Sequence, residues 1–188
     1  FTVTYPNPGV PGGENWVVGE ARQVTWTTVG LVTSVNVLYT IDGSNYLTFT
    51  GGSAVVNTPN GTTGISTIVP DAISNTFKVR VVADGDSYAK DESDNIFNLR
   101  GKIEVLTPTA STRWQVSDNQ DIIWRITGSI PNVKISYSTN SGGDGYPNVI
   151  SASAPATYTQ ITPPYLWEGK CTWTNIPANI IGDQLRIR

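Results

Sequence analysis

Residues Glu14–Trp26 read ENWVVGEARQVTW, and the chain says this twice. At one constant offset Trp16, Val18 and Trp26 recur as Trp114, Val116 and Trp124, and Gly30, Val35, Val37 and Tyr39 recur as Gly128, Val133, Ile135 and Tyr137. Paired tryptophans at matched spacing in two places mark a duplicated module. The repeat is too long for a solenoid unit and suits a small domain. The chain therefore reads as two copies of one module, residues 1–100 and 101–188. Arg100-Gly101-Lys102 is expected to be the whole linker, holding the copies end to end with limited freedom.

The repeated stretch also sets the secondary structure. Val24 and Trp26 share one face of a period-two strand, with Gln23, Thr25 and Thr27 on the other; Ile122, Trp124 and Ile126 take the inward places in the second copy. A sandwich core needs its largest side chains at such positions. Val35, Val37 and Tyr39 form the next inward row and lead into Asp42-Gly43, a hairpin signal. Ser141–Gly145 is a looser turn at the matching place. Phe1–Tyr5, stopped by Pro6, suits an edge strand, and Ile103–Leu106 before Pro108 is its counterpart. Phe77, Val79 and Val81 alternate with Lys78 and Arg80, as Leu185 and Ile187 do with Arg186 and Arg188. Ile96–Leu99 closes the first copy. No long segment carries a helical period, so the fold class is all-β, two sandwiches in tandem. The counterpart of Ile96–Leu99 would fall beyond Arg188, so the second module as given is expected to lack its closing strand, which continuation of the native chain would supply, donation by another chain being the alternative.

Composition narrows the function classes. Of 188 residues, 38% are hydrophobic and 14% charged, with no His and no Met. A net charge of −3 and a pI near 4.8, without a basic cluster, argue against nucleic acid as a partner. No run approaches the ~18 apolar residues of a membrane span. Cys171 is alone, so no disulfide forms within the chain. Without His the usual general base is missing, no Gly-x-Ser-x-Gly elbow occurs, and nothing activates Cys171. The expectation is a protein that is not an enzyme and requires no cofactor.

Gly12-Gly13-Glu14-Asn15-Trp16, Val24-Thr25-Trp26-Thr27, Val35–Gly43, Val69-Pro70 and Glu92-Ser93-Asp94 before Phe97 form a pattern that resembles modules of bacterial secreted proteins. Arg113-Trp114, Ile123-Trp124, Val133–Ser138 and Trp173–Pro177 continue it in the second copy, which lacks the Gly-Gly-Glu lead-in. The pattern is similar to the Ser-Thr-rich, Kre9/Knh1-like cell-surface domain family. That resemblance implies immunoglobulin- or fibronectin-like sandwiches, an extracellular location and a wall-associated or spacer role, and it brings no catalytic residues. The expected function is a structural module pair of a larger surface-layer, cell-wall or filament protein. Its partners would be further domains of the same polypeptide and other copies at a cell surface. The alternative is a carbohydrate-binding or spacer region of a secreted multimodular hydrolase.

Three constellations carry candidate sites. Asp84, Asp86, Asp91, Glu92 and Asp94 are candidate calcium ligands, since calcium takes six to eight oxygens, although the spacing is not that of an EF-hand and suits a solvated loop. Asp118 and Asp121 pose the same question on a smaller scale. The aromatic insertion of the second copy, Tyr146, Tyr158, Tyr165 and Trp167, would offer rings to a polysaccharide, or cap the sandwich, or dock on a neighbour. Asn60-Gly61-Thr62 is a formal glycosylation sequon.

Overall fold

The computed structural model describes every residue of the chain except Tyr158. Its contacts divide into two units, Phe1–Gly101 and Lys102–Arg188.

The first unit contains β1 (Thr2–Tyr5), β2 (Asn15–Val17), β3 (Ala21–Thr27), β4 (Ser34–Thr40), β5 (Leu47–Thr48), β6 (Val55–Val56), β7 (Thr62–Ile68), β8 (Ser74–Ala83), β9 (Asp86–Glu92) and β10 (Phe97–Arg100). One sheet runs β1-β3-β7; the other runs β2-β10-β8-β4-β5, with β6 on β4 and β9 on β8. This is the connectivity of an immunoglobulin-like sandwich, in which the first, second and fifth principal strands oppose the third, sixth and seventh. Val24 and Trp26 of β3 and Val35 and Val37 of β4 are buried, so the period-two reading of both strands holds. Between the sheets lies a chain of rings: Tyr5 meets Trp16, Trp16 meets Phe97, Phe97 meets Phe77, and Phe77 stacks on Tyr39 at 5.4 Å.

The second unit contains β11 (Lys102–Thr107), β12 (Gln120–Thr127), β13 (Asn132–Ser138), β14 (Asn148–Pro155), β15 (Thr159–Ile161), β16 (Leu166–Trp173) and β17 (Arg186–Ile187), with one 3-10 turn, Ala178–Ile180. Its sheets run β11-β12-β16-β15 and β14-β13-β17. Ile122, Trp124 and Ile126 from the first sheet share one core with Ile135 and Ala154 from the second. The copies agree in detail. Val3 lies opposite Trp26 and Val105 opposite Trp124, each just before a bulge in the edge strand.

Two readings change. The linker is shorter than expected, because Arg100 ends β10 and Lys102 begins β11, leaving Gly101 alone between strands. The acidic stretch is not all loop: Asp86–Glu92 forms β9, which pairs with β8 and takes up backbone groups that a solvated loop would leave to water.

Candidate functional site

The five acids of the first unit are drawn apart by β9 and put to separate uses. Asp84 accepts from Ser34 and Asn36, and Asp86 accepts from the Tyr88 amide. Asp91 accepts the Val3 amide at 2.7 Å, tying β1 to β9, and Asp94 accepts from Asn7 at 3.0 Å. Glu92 is held by Arg80, by Lys78 at 3.7 Å and by the Tyr46 hydroxyl at 2.9 Å, while the Arg80 guanidinium lies 3.3 Å from the centre of the Tyr46 ring. Among the described residues no three acids, cysteines or histidines converge as a metal site. Burial alone would raise the Glu92 pKa, but the Arg80 and Tyr46 hydrogen bonds and the two nearby cations hold it below the usual carboxylate range. In the second unit Asp121 accepts from Thr172 and Lys170 on the outer face, and Asp118 is exposed.

The aromatic residues of the insertion stand on separate elements. Tyr146 follows the turn after β13 with φ +62°, half-buried, and the Arg188 guanidinium lies 4.6 Å from its ring centre. Tyr165 is half-buried in the turn between β15 and β16, where its carbonyl accepts the Gly128 amide. Trp167 belongs to the inward row of β16, opposite Ile126, and packs against the core. Tyr158 lies outside the described residues. Asn60 is exposed with φ +53°, and its side-chain carbonyl accepts the Gly30 amide. Cys171 is half-buried; burial, and then Asp121, push its thiol pKa up, which keeps it protonated near neutrality.

Two features escaped the sequence reading. Asn57 is buried between the sheets, where its carbonyl accepts the Trp26 indole N–H at 2.8 Å and its amide donates to the Val32 carbonyl. A single Asn among Thr and Pro carries no sequence signal for that role. The second is a groove of about 480 Å³ on the second unit, lined by Val105, Trp114, Val116, Ile180, Leu185 and Ile187. Every one of these residues was legible as apolar, but which of them share a groove depends on pairing between distant segments. In the first unit the matching positions Val3, Trp16 and Val18 are at most 1% exposed, whereas Val105 is 39% and Val116 36% exposed.

No family model matches the chain, and no curated protein shows a significant match. Among solved structures it is similar to the fibronectin(III)-like modules of Clostridium thermocellum CbhA, with 15% identity, 90% of this chain and 78% of that one covered, and a TM-score of 0.27. It is also similar to the N-terminal four Ig domains of Dscam1 isoform 8.4, with 12% identity, 90% of this chain but 37% of that one covered, and a TM-score of 0.32. A third likeness is to Dpr2 Ig1-Ig2 in complex with DIP-Theta Ig1-Ig3, with 9% identity, 95% and 56% covered, and a TM-score of 0.28. At these TM-scores the likenesses carry no argument about function, and the immunoglobulin-like assignment rests on the order of the strands.

Proposed function

We propose that the chain is a pair of non-catalytic structural domains, residues 1–100 and 101–188, from an extracellular surface protein such as a surface-layer, cell-wall or filament component. The observation that carries this reading is the use made of the acids. Asp91, Glu92 and Asp94 tie strands and loops of the first unit to one another, so the groups best able to serve chemistry or a calcium ion already have partners. The thiol of Cys171 is held in its unreactive form. Outer faces rich in Thr and Ser, and the resemblance of the Trp16–Trp26 and Val35–Gly43 motifs to Ser-Thr-rich, Kre9/Knh1-like cell-surface domains, support the location. Further domains of the same polypeptide and other copies of it are the partners this role implies. Exposed Asn60, in its turn, is suited to carry a glycan.

The test is assembly. Sedimentation and negative-stain imaging of the purified chain, with and without calcium, are expected to show ordered association, and its melting is expected to be unchanged by a chelator. Specific retention on a polysaccharide that is lost with Tyr165→Ala would replace this reading by the carbohydrate-binding alternative.

A further inference from the structure

A strand at the edge of a sheet leaves half of its backbone groups unpaired, and proteins blunt such edges with charge, proline, bulges or brevity. Most edge strands among the described residues are blunted in one of these ways. β9 carries Asp86, Lys90, Asp91 and Glu92, and β11 carries Lys102 and Glu104. β1 shifts register between Val3 and Tyr5, and β14 shifts twice against β13 and ends at Pro155. β2, β5, β6, β15 and β17 are at most three residues long. β7 has none of these devices. It runs for seven residues, Thr62–Ile68, against β3 without a register shift, and no residue from 43 to 70 is charged.

This edge lies in mid-chain, with β1 on the far side of β3. The Val69 amide donates to the Glu20 carbonyl and the Thr28 amide to the Gly61 carbonyl, which brackets the β3–β7 ladder and sets its phase. Alternation then gives Thr63, Ile65 and Thr67 the bonds to β3 and turns the N–H and C=O of Thr62, Gly64, Ser66 and Ile68 to the open side. Those four residues are exposed, and no strand of the described residues pairs along them. The duplicate treats the same edge differently. β16, the counterpart of β7, has β15 along its outer side at Leu166–Glu168 and carries Lys170 beyond it.

We infer that β7 is a self-pairing edge, joining two copies of this chain antiparallel about a two-fold axis through Ile65. In that register Gly64 of each copy faces Ser66 of the other, and Thr62 faces Ile68, so every outward N–H and C=O finds a partner. A strand can pair with its own reverse only if no like charges meet, and β7 brings none. The outer face beside it is uncharged as well, formed by Thr4, Gln23, Thr25 and Thr27, with Thr4 and Thr25 hydrogen-bonded to each other. Two such sheets merge without electrostatic cost. A partner of either charge finds nothing on β7 to recognise, which makes a second copy the occupant. Seven residues bury less than a standard interface, so the pairing is weak and concentration-dependent. The inference rests on the assembly reading above and names the contact for it.

Sedimentation velocity of the full chain is expected to show a monomer–dimer equilibrium whose dimer fraction grows as the concentration approaches millimolar. Ser66→Pro removes an outward N–H without touching the β3 ladder, and Ser66→Lys puts a charge on the edge. Each should weaken the dimer about ten- to hundredfold while circular dichroism shows the fold retained. Val149→Lys, on the β14 edge, should leave the dimer unchanged. A cross-link reads the register. Ile65 would face its own copy as a non-hydrogen-bonded pair, about 4.5 Å between Cα atoms and within disulfide reach. Ile65→Cys in a Cys171→Ser chain should form a disulfide-linked dimer with oxidised glutathione, and adding Ser66→Pro should prevent it. A chain that stays monomeric throughout would overturn the inference, as would a dimer that survives both Ser66 substitutions or one that is lost on Val149→Lys instead. Ordered association that persists in Ser66→Lys would remove this contact and leave the surface-protein reading standing. Polysaccharide retention lost with Tyr165→Ala, the β7 dimer being intact, would replace that reading and leave the contact.

Discussion

At the scale of single residues, the tryptophans of β3 and β12 do the same work with different partners. Trp26 is fully buried and donates to Asn57, whereas Trp124 donates to the Ala156 carbonyl at 2.8 Å. Trp26→Ala removes the ring from a closed core and leaves the Asn57 carbonyl without its indole donor. The expected cost is about 3–5 kcal/mol, measured by urea denaturation. Gly169 is required by the approach of the Trp124 indole. A Cβ at 169 would collide with the Trp124 ring and the Ala156 carbonyl, both of which are backed by packed core. Gly169→Ala is therefore expected to cost at least about 1–3 kcal/mol, the range for overpacking, and a neutral result in the same denaturation assay would contradict the β12–β16 register.

At the scale of elements, β9 converts an acidic run into a clasp. Asp91 reaches β1 across to the other sheet, and Glu92 gathers Arg80, Lys78 and Tyr46 on the outer face of β8. Glu92 has its pKa lowered in the folded state, so its contribution to stability is complete above its unfolded value near 4.5 and is lost as the pH falls through the folded value. Melting of the wild type is accordingly expected to fall between about pH 5 and pH 3 more steeply than melting of Glu92→Gln, with the two curves converging in acid. Parallel curves would remove Glu92 from the account. Acidic spacing alone suggested calcium; strand pairing splits Asp91 and Glu92 onto opposite faces, and the period of two forbids their convergence.

At the scale of the whole molecule, the two units differ in how completely their cores are closed. Trp16, Phe77 and Phe97 are sealed in the first, while Trp114, Leu185 and Ile187 are only partly covered in the second. Calorimetry of the full chain is expected to resolve two transitions, the lower belonging to Lys102–Arg188. Trp26→Ala should move only the upper transition and Gly169→Ala only the lower. A single transition shifted equally by both substitutions would show that the units do not unfold separately.

The repeated tryptophans, the alternation around them and the Asp-Gly turn were enough, by themselves, to make the fold an all-β sandwich, because a period of two and a hairpin turn are local properties of the chain. The inward rows Val24/Trp26, Ile122/Trp124/Ile126 and Phe77/Val79/Val81 are buried as read from alternation alone. Tertiary structure decided what depends on pairing between distant segments. It made a strand of Asp86–Glu92, aimed Asn57 at Trp26 and turned Trp167 toward the core. Each of these is a relation between residues that are not neighbours in sequence, and local patterning carries no information about which remote group a side chain or a strand will meet.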